Sequence, residues 1–159
     1  MSGPVPQLNK GGKFVFGQSL IHPDGSIWLP PQALAEYQLA SEGRVLIFTG
    51  SRSTGGFCVT RHGLLAPSKL GHILCALPQL ADYQLPPGQL LPYKGRAYGW
   101  APVTAGGCIQ LPPNTLPALQ LVPGMSLLCI RSSNIAITLG AKGPLLARAQ
   151  QYTGAIPQY

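Results

Sequence analysis

The strongest constraint on this chain is that it repeats itself. Residues 13–40, KFVFGQSLIHPDGSIWLPPQALAEYQLA, align without a gap with residues 95–122, GRAYGWAPVTAGGCIQLPPNTLPALQLV, at an offset of 82. The identical pairs are Gly17/Gly99, Gly25/Gly107, Ile27/Ile109, Leu29/Leu111, Pro30/Pro112, Pro31/Pro113, Leu34/Leu116, Gln38/Gln120 and Leu39/Leu121. After a one-residue slip Gly43 matches Gly124. The apolar runs VLIF (45–48) and LLCI (127–130) follow, and FCVT (57–60) then matches IAIT (135–138). Two glycines, two prolines and an apolar ladder held in one register point to two similar folding units.

Each unit carries the same local signals. A first strand is expected at Phe14–Ile21. Its counterpart, Tyr98–Val103, contains Pro102 and so reads as an edge or broken strand. Turns follow at HPDG (22–25) and TAGG (104–107). A short strand, IWL or IQL, then runs into Pro-Pro, whose second residue can occupy a first helical turn without wasting an amide donor. A helix of about two turns is expected at QALAEYQL and at NTLPALQL. Two strands close each unit, 44–49 with 57–61 and 126–131 with 135–139. The loop between them is GSRSTGG (50–56) in the first unit and about SSN in the second.

Between the units, residues 66–94 place Leu70, Ile73, Leu74, Leu77 and Leu80 at helical spacing, which predicts a connecting helix packed on the core. LADYQLPPGQLL (80–91) also echoes the helix–turn pieces at 34–46 and 116–128. The chain thus divides into an N-terminal arm (1–12), unit 1 (13–65), a helical connecting insert (66–94), unit 2 (95–147) and a C-terminal tail (148–159).

Composition narrows what such a chain can do. Only 9% of the residues are charged, against about 25% in an ordinary globular protein. Eleven Lys and Arg face four Asp and Glu, a net charge of +7. Such a balance attracts polyanions. Asp24, Glu36, Glu42 and Asp82 give paired-carboxylate hydrolysis and hard-cation binding little to work with. Of His22, His62, His72 and the four cysteines, only His72 and Cys75 have ligand-like spacing, so no metal and no cofactor is expected. No Ser or Cys has a base and an orienting carboxylate at a telling distance, and the chain reads as a non-enzyme. The start, MSGPVPQLNK, lacks an apolar signal core, and no run is long enough to span a bilayer. A cytoplasmic protein with reduced thiols and no membrane association is the expectation.

The string G-x-I-x-L-P-P-x-x-L, then Q-L, a Gly turn and an apolar strand, occurs as GSIWLPPQALAEYQLASEGRVLIF (25–48) and GCIQLPPNTLPALQLVPGMSLLCI (107–130). It resembles the AbrB/SpoVT (MazE-like) swapped-hairpin domain family, in two tandem copies covering about 100 residues. In that family a unit too small to shelter its own strands exchanges hairpins with a second chain. The resemblance therefore implies a mostly β fold with short helices. It would be a duplicated swapped-hairpin β-barrel with a pseudo-two-fold axis, and the helical insert would lie between its halves.

The resemblance also implies a DNA-binding protein, a transcriptional regulator acting as a fused pseudo-dimer. The family's Arg before the Ile of the Pro-containing strand is here Ser26 or Cys108, and the acidic residue after the turn Gly is Arg44 or Met125. Phosphate contacts then fall to Lys10, Lys13, Lys94 and Arg96, which precede the two first strands, and to Arg52, Arg61 and Arg131 near the hairpins. Trp28 and Trp100 read as core or interface rim. An alternative is a protein-interaction or assembly module, antitoxin-like or otherwise, that kept the barrel and lost DNA binding. Such a module would act as a homodimer or with a protein partner. A small-ligand barrel or enzyme comes third.

Overall fold

The structure is a computed structural model and describes residues 14–152 and 154–159. The first unit runs β1 (Val15–Leu20), β2 (Ser26–Trp28), α1 (Pro31–Tyr37), β3 (Arg44–Thr49) and β4 (Phe57–Thr60). Then come α2 (His62–Leu65), α3 (His72–Ala76), α4 (Pro78–Ala81) and β5 (Leu91–Tyr93). The second unit repeats the first as β6 (Arg96–Pro102), β7 (Cys108–Gln110), α5 (Thr115–Ala118), β8 (Ser126–Arg131) and β9 (Ile137–Gly140), and α6 (Pro144–Gln151) follows.

The repeated residues make repeated local structure. Gly25 and Gly107 take φ of 84° and 93°, a region that side chains avoid. Their N–H groups close the turns on the carbonyls of His22 and Thr104. Pro31 opens α1 in the first turn. Gln38 and Gln120, both left-handed, end the helical segments, and the amides of Leu39 and Leu121 return to the carbonyls of Leu34 and Leu116. Pro117 falls inside the second helix, and α5 is shorter than α1.

The strands form a seven-stranded sheet, in the order β1-β8-β9-β4-β3-β6-β5, and a two-stranded sheet, β2-β7. Every ladder is antiparallel. The first strand of each unit pairs with the third strand of the other. Gly17 faces Cys129 and Leu20 faces Ser126; 82 residues away, Gly99 faces Ile47 and Pro102 faces Arg44. At the centre of the large sheet Val59 lies opposite Ile137.

Alternation along the strands sends one set of side chains inward. Val45, Ile47, Leu127 and Cys129 join Ile27, Ile109, Phe57 and Leu139 in the main core, beneath β2, β7, α1 and α5. The alternate residues, Leu46, Phe48, Leu128 and Ile130, are buried too, on the outer face. There Leu65, Ile73, Leu74, Leu80 and Leu85 cover one half and α6 covers the other.

Three expectations are corrected. The predicted barrel does not close, and β1 and β5 stand at the margins of an open sheet. Segments outside the repeat occupy the free edges. Pro157 and Tyr159 accept hydrogen bonds from Gln18 and Leu20 of β1, and β5 pairs with the outer edge of β6. The single helix expected over 66–94 is interrupted at Pro78, which cannot donate within a helix, and Leu70 is exposed. The strand β6, expected to be an edge or broken strand because of Pro102, is continuous and lies between β3 and β5. Pro102 is tolerated as its last residue, beyond the reach of three-residue β5.

Candidate nucleic-acid interface

Antiparallel pairing fixes which connections share an end of the large sheet. At Thr49, where β3 stops, three of them meet: the β3–β4 loop, the β5–β6 turn and the segment after β9. The Thr49 hydroxyl accepts the Ala97 N–H at 3.2 Å and ties the start of β6 to the end of β3. The loop GSRSTGG folds back on itself, with Gly50 N–H donating to Gly56 O and Gly55 N–H to Ser51 O. Gly56 has φ of 62°, and a Cβ there would lie 1.9 Å from the Leu139 carbonyl oxygen, so only glycine fits. The amides of Ala141 and Lys142 donate to Thr54 O at 2.8 and 2.9 Å, and the Lys142 side chain lies along Gly55.

These connections gather Arg52, Lys94, Arg96 and Lys142 around two hollows that share Thr49. One, of about 410 Å³, is lined by Ser51, Arg52, Gly55, Gln120 and Lys142 among others. The other, of about 450 Å³, is lined by Tyr93, Lys94 and Arg96. Among the described residues neither lining contains a carboxylate. Lys94 sits in the turn at φ of 48°, with its ammonium 5.5 Å from the Tyr93 ring centre. The Arg96 guanidinium lies 5.7 Å from the Phe48 ring centre.

The opposite end is also basic in sequence, but two of its arginines are paired with carboxylates. Arg131 makes a two-pronged pair with Glu36 and lies 4.4 Å from the Phe14 ring centre. Arg61 binds Glu42 at 2.9 Å and the Tyr37 carbonyl at 3.0 Å. Arg44 stacks 4.4 Å from the Tyr83 ring centre and 5.5 Å from that of Trp100. Of the residues expected to contact phosphate, Arg52, Lys94 and Arg96 come together. Arg61 and Arg131 lie at the far end, and Lys10 and Lys13 fall outside the described residues. Sequence reasoning missed Lys142. Its one local signal is a cation between small residues, GAKG, directly after a strand.

The aromatic and thiol candidates separate by burial. Trp28 is 42% exposed and lies beside Gly106. Trp100 is half-buried and donates its indole N–H to Leu85 O. All four cysteines are free. Burial pushes the Cys58 and Cys129 thiols up, furthest for Cys129. His22 is half-buried, and its Nε2 has no hydrogen-bond partner among the described residues. Among the described residues no group of three or more His, Cys, Asp or Glu is placed to hold a metal ion. No described helix is long and apolar enough to cross a membrane. No protein-family model matches this chain, and no curated protein matches it at a significant level.

Proposed function

We propose that this chain is a single-chain counterpart of an AbrB/SpoVT-type swapped-hairpin pair. In this reading it binds DNA, as a transcriptional regulator, through the sheet end that carries Arg52, Lys94, Arg96 and Lys142. The duplicated origin is supported by the equal registers of β1 with β8 and of β6 with β3. The observation that carries the binding reading is the convergence of four cations from three connections on hollows without a carboxylate. Cations so placed neutralise phosphates and release counterions, which gives affinity without reading sequence. A mobility-shift titration of duplex DNA at rising salt tests it. Binding at low ionic strength that falls steeply with salt is expected; absence of binding at low ionic strength refutes the reading.

A second reading is favoured by a specific observation. Ser26 and Cys108 stand where the resembled family carries Arg, and Arg61 and Arg131 are held by carboxylates. An assembly module that retained the fold would keep these features. It would fail the DNA titration, and a protein partner would co-purify with it in fixed stoichiometry.

A further inference from the structure

Corresponding positions of the repeat are filled at one end of the large sheet and left open at the other. Where Arg131 ends β8, its guanidinium grips the Glu36 carboxylate of α1 with two hydrogen bonds. Beside them the buried Tyr37 donates its hydroxyl to the Ser133 carbonyl in the short loop after β8. At the offset of 82, Thr49 takes the place of Arg131, Ala118 that of Glu36 and Leu119 that of Tyr37. All three replacements are smaller, and all three line the hollow of about 410 Å³. That volume lies within the roughly 300–1,000 Å³ of small-molecule sites.

The charge changes with the volume. Ala118 removes the one carboxylate that the repeat places here, and the lining holds Arg52 and Lys142 instead. Arg52 comes from the loop GSRSTGG, which is longer than its counterpart SSN. The Lys142 stem runs along Gly55 toward the same hollow. Thr54 O accepts the amides of Ala141 and Lys142, so the two cations are held on one frame. No ion pair among the described residues involves either of them. At the far end the fold supplies both the arginine and its anion; here it supplies two cations and space.

We propose that this hollow binds a small phosphate ester, whose phosphate takes the place that the Glu36 carboxylate holds at the other end. The phosphate meets Arg52 and Lys142, and the rest of the ester lies against Ala118 and Leu119. Two cations suit a phosphate monoester, which is largely dianionic at neutral pH. The volume suits an ester of mononucleotide size rather than the free ion. The proposal shares with the DNA reading the view that these cations bind phosphate, but it does not require DNA to bind.

Calorimetric titration of the full chain at low ionic strength, without DNA, tests it with adenosine monophosphate, inorganic phosphate and adenosine. The monophosphate should bind, inorganic phosphate more weakly, and adenosine more weakly still. Arg52→Ala and Lys142→Ala should each weaken the monophosphate roughly ten-fold, as the loss of a hydrogen bond between charged groups does. Ala118→Glu restores the carboxylate on an exposed helical position and should abolish binding, whereas the uncharged Ala118→Gln should retain part of it. Arg148→Ala, which removes an exposed cation outside the hollow, should change nothing. The proposal is overturned if the monophosphate fails to bind at millimolar concentration, or if adenosine or inorganic phosphate binds as tightly. It is also overturned if Ala118→Glu keeps full affinity, or if Arg148→Ala weakens binding as much as Arg52→Ala does. DNA binding without monophosphate binding overturns this proposal alone, and monophosphate binding without DNA binding supports it.

Discussion

Ile27 lies directly opposite Ile109 in the two-stranded sheet, and both side chains are fully buried in the main core. On either side Ser26 faces Gln110 and Trp28 faces Cys108. Interchanging the two units therefore leaves the pairing unchanged. Two isoleucines in equivalent surroundings should be of equal value to the fold. Ile27→Ala and Ile109→Ala should each cost about 2–5 kcal/mol. Urea denaturation of the two variants checks this, and a large loss in one with near-neutrality in the other contradicts the equivalence. The double variant should depart from additivity, because the two side chains share one site.

The two ends of the sheet should behave differently toward DNA. Replacing Arg52, Lys94 or Lys142 by Ala should lower the slope of log affinity against log salt by about 1 each. Arg131→Ala and Arg61→Ala should leave that slope unchanged, since their guanidinium groups are held by Glu36 and Glu42. Their effect on stability should be small, within about 1 kcal/mol, as expected of partly exposed pairs. Equal slope changes at both ends would show that the ion pairs open on binding.

Tyr37 makes stability depend on pH in the alkaline range. Its side chain is buried and its hydroxyl donates to the Ser133 carbonyl. Burial, with a smaller contribution from the Glu36 charge, raises its pKa from the ordinary 10 to about 12. The fold therefore favours the protonated phenol. The stabilisation is complete below pH 10 and is lost as pH rises from 10 toward 12. Tyr37→Phe should lose about 1 kcal/mol at neutral pH with the hydrogen bond, and should decline less steeply above pH 10. A residual slope remains, because burial also raises Tyr83 and Tyr98. Urea midpoints measured from pH 8 to pH 11.5 would reveal a mistaken assignment as parallel curves.

The thiols should react in order of access. Cys75 is exposed and Cys108 is partly exposed; Cys58 and Cys129 are buried with raised pKa. Since the thiolate is the reacting form, a disulfide reagent at pH 8 should label Cys75 first and Cys108 next. Cys58 and Cys129 should react only on unfolding. Peptide mapping of the labelled sites at successive times checks the order, and early labelling of Cys129 would mean that β8 opens locally.

Glycine positions separate backbone strain from crowding. Gly43 has φ of 70° with open space where a methyl group would go, whereas at Gly56 the Leu139 carbonyl blocks one. Gly43→Ala should cost about 1–2 kcal/mol through the left-handed backbone alone. Gly56→Ala should cost distinctly more and loosen the loop that carries Arg52. Thermal melts of the two variants give the comparison, and equal losses would indicate that the loop simply moves aside.

Much of the architecture was legible because it is locally encoded. Gly25 and Gly107 mark turns, Pro31 marks a helix start, and the runs VLIF and LLCI fall on strands with both faces covered. Other features had no local sign. The capping of β1 by residues 157–159 uses backbone groups, which any sequence supplies. The leucine spacing runs straight across Pro78, so it predicts one helix where the structure has two short ones. In the candidate site, Arg52, Lys94 and Arg96 were legible as cations near turns. Lys142 was not, because its place depends on Thr54, a residue from the other unit.

The sequence by itself determined two similar units and the order of elements in each, since turns, helix starts and apolar alternation depend on neighbours a few residues apart. Tertiary structure alone decided that the sheet stays open and which of the described cations are paired with carboxylates. Arg131 and Glu36 are 95 residues apart, and their pairing follows from how distant strands stack. Charge is written in the chain, but its neutralisation is a matter of proximity, and proximity exists only in the folded molecule.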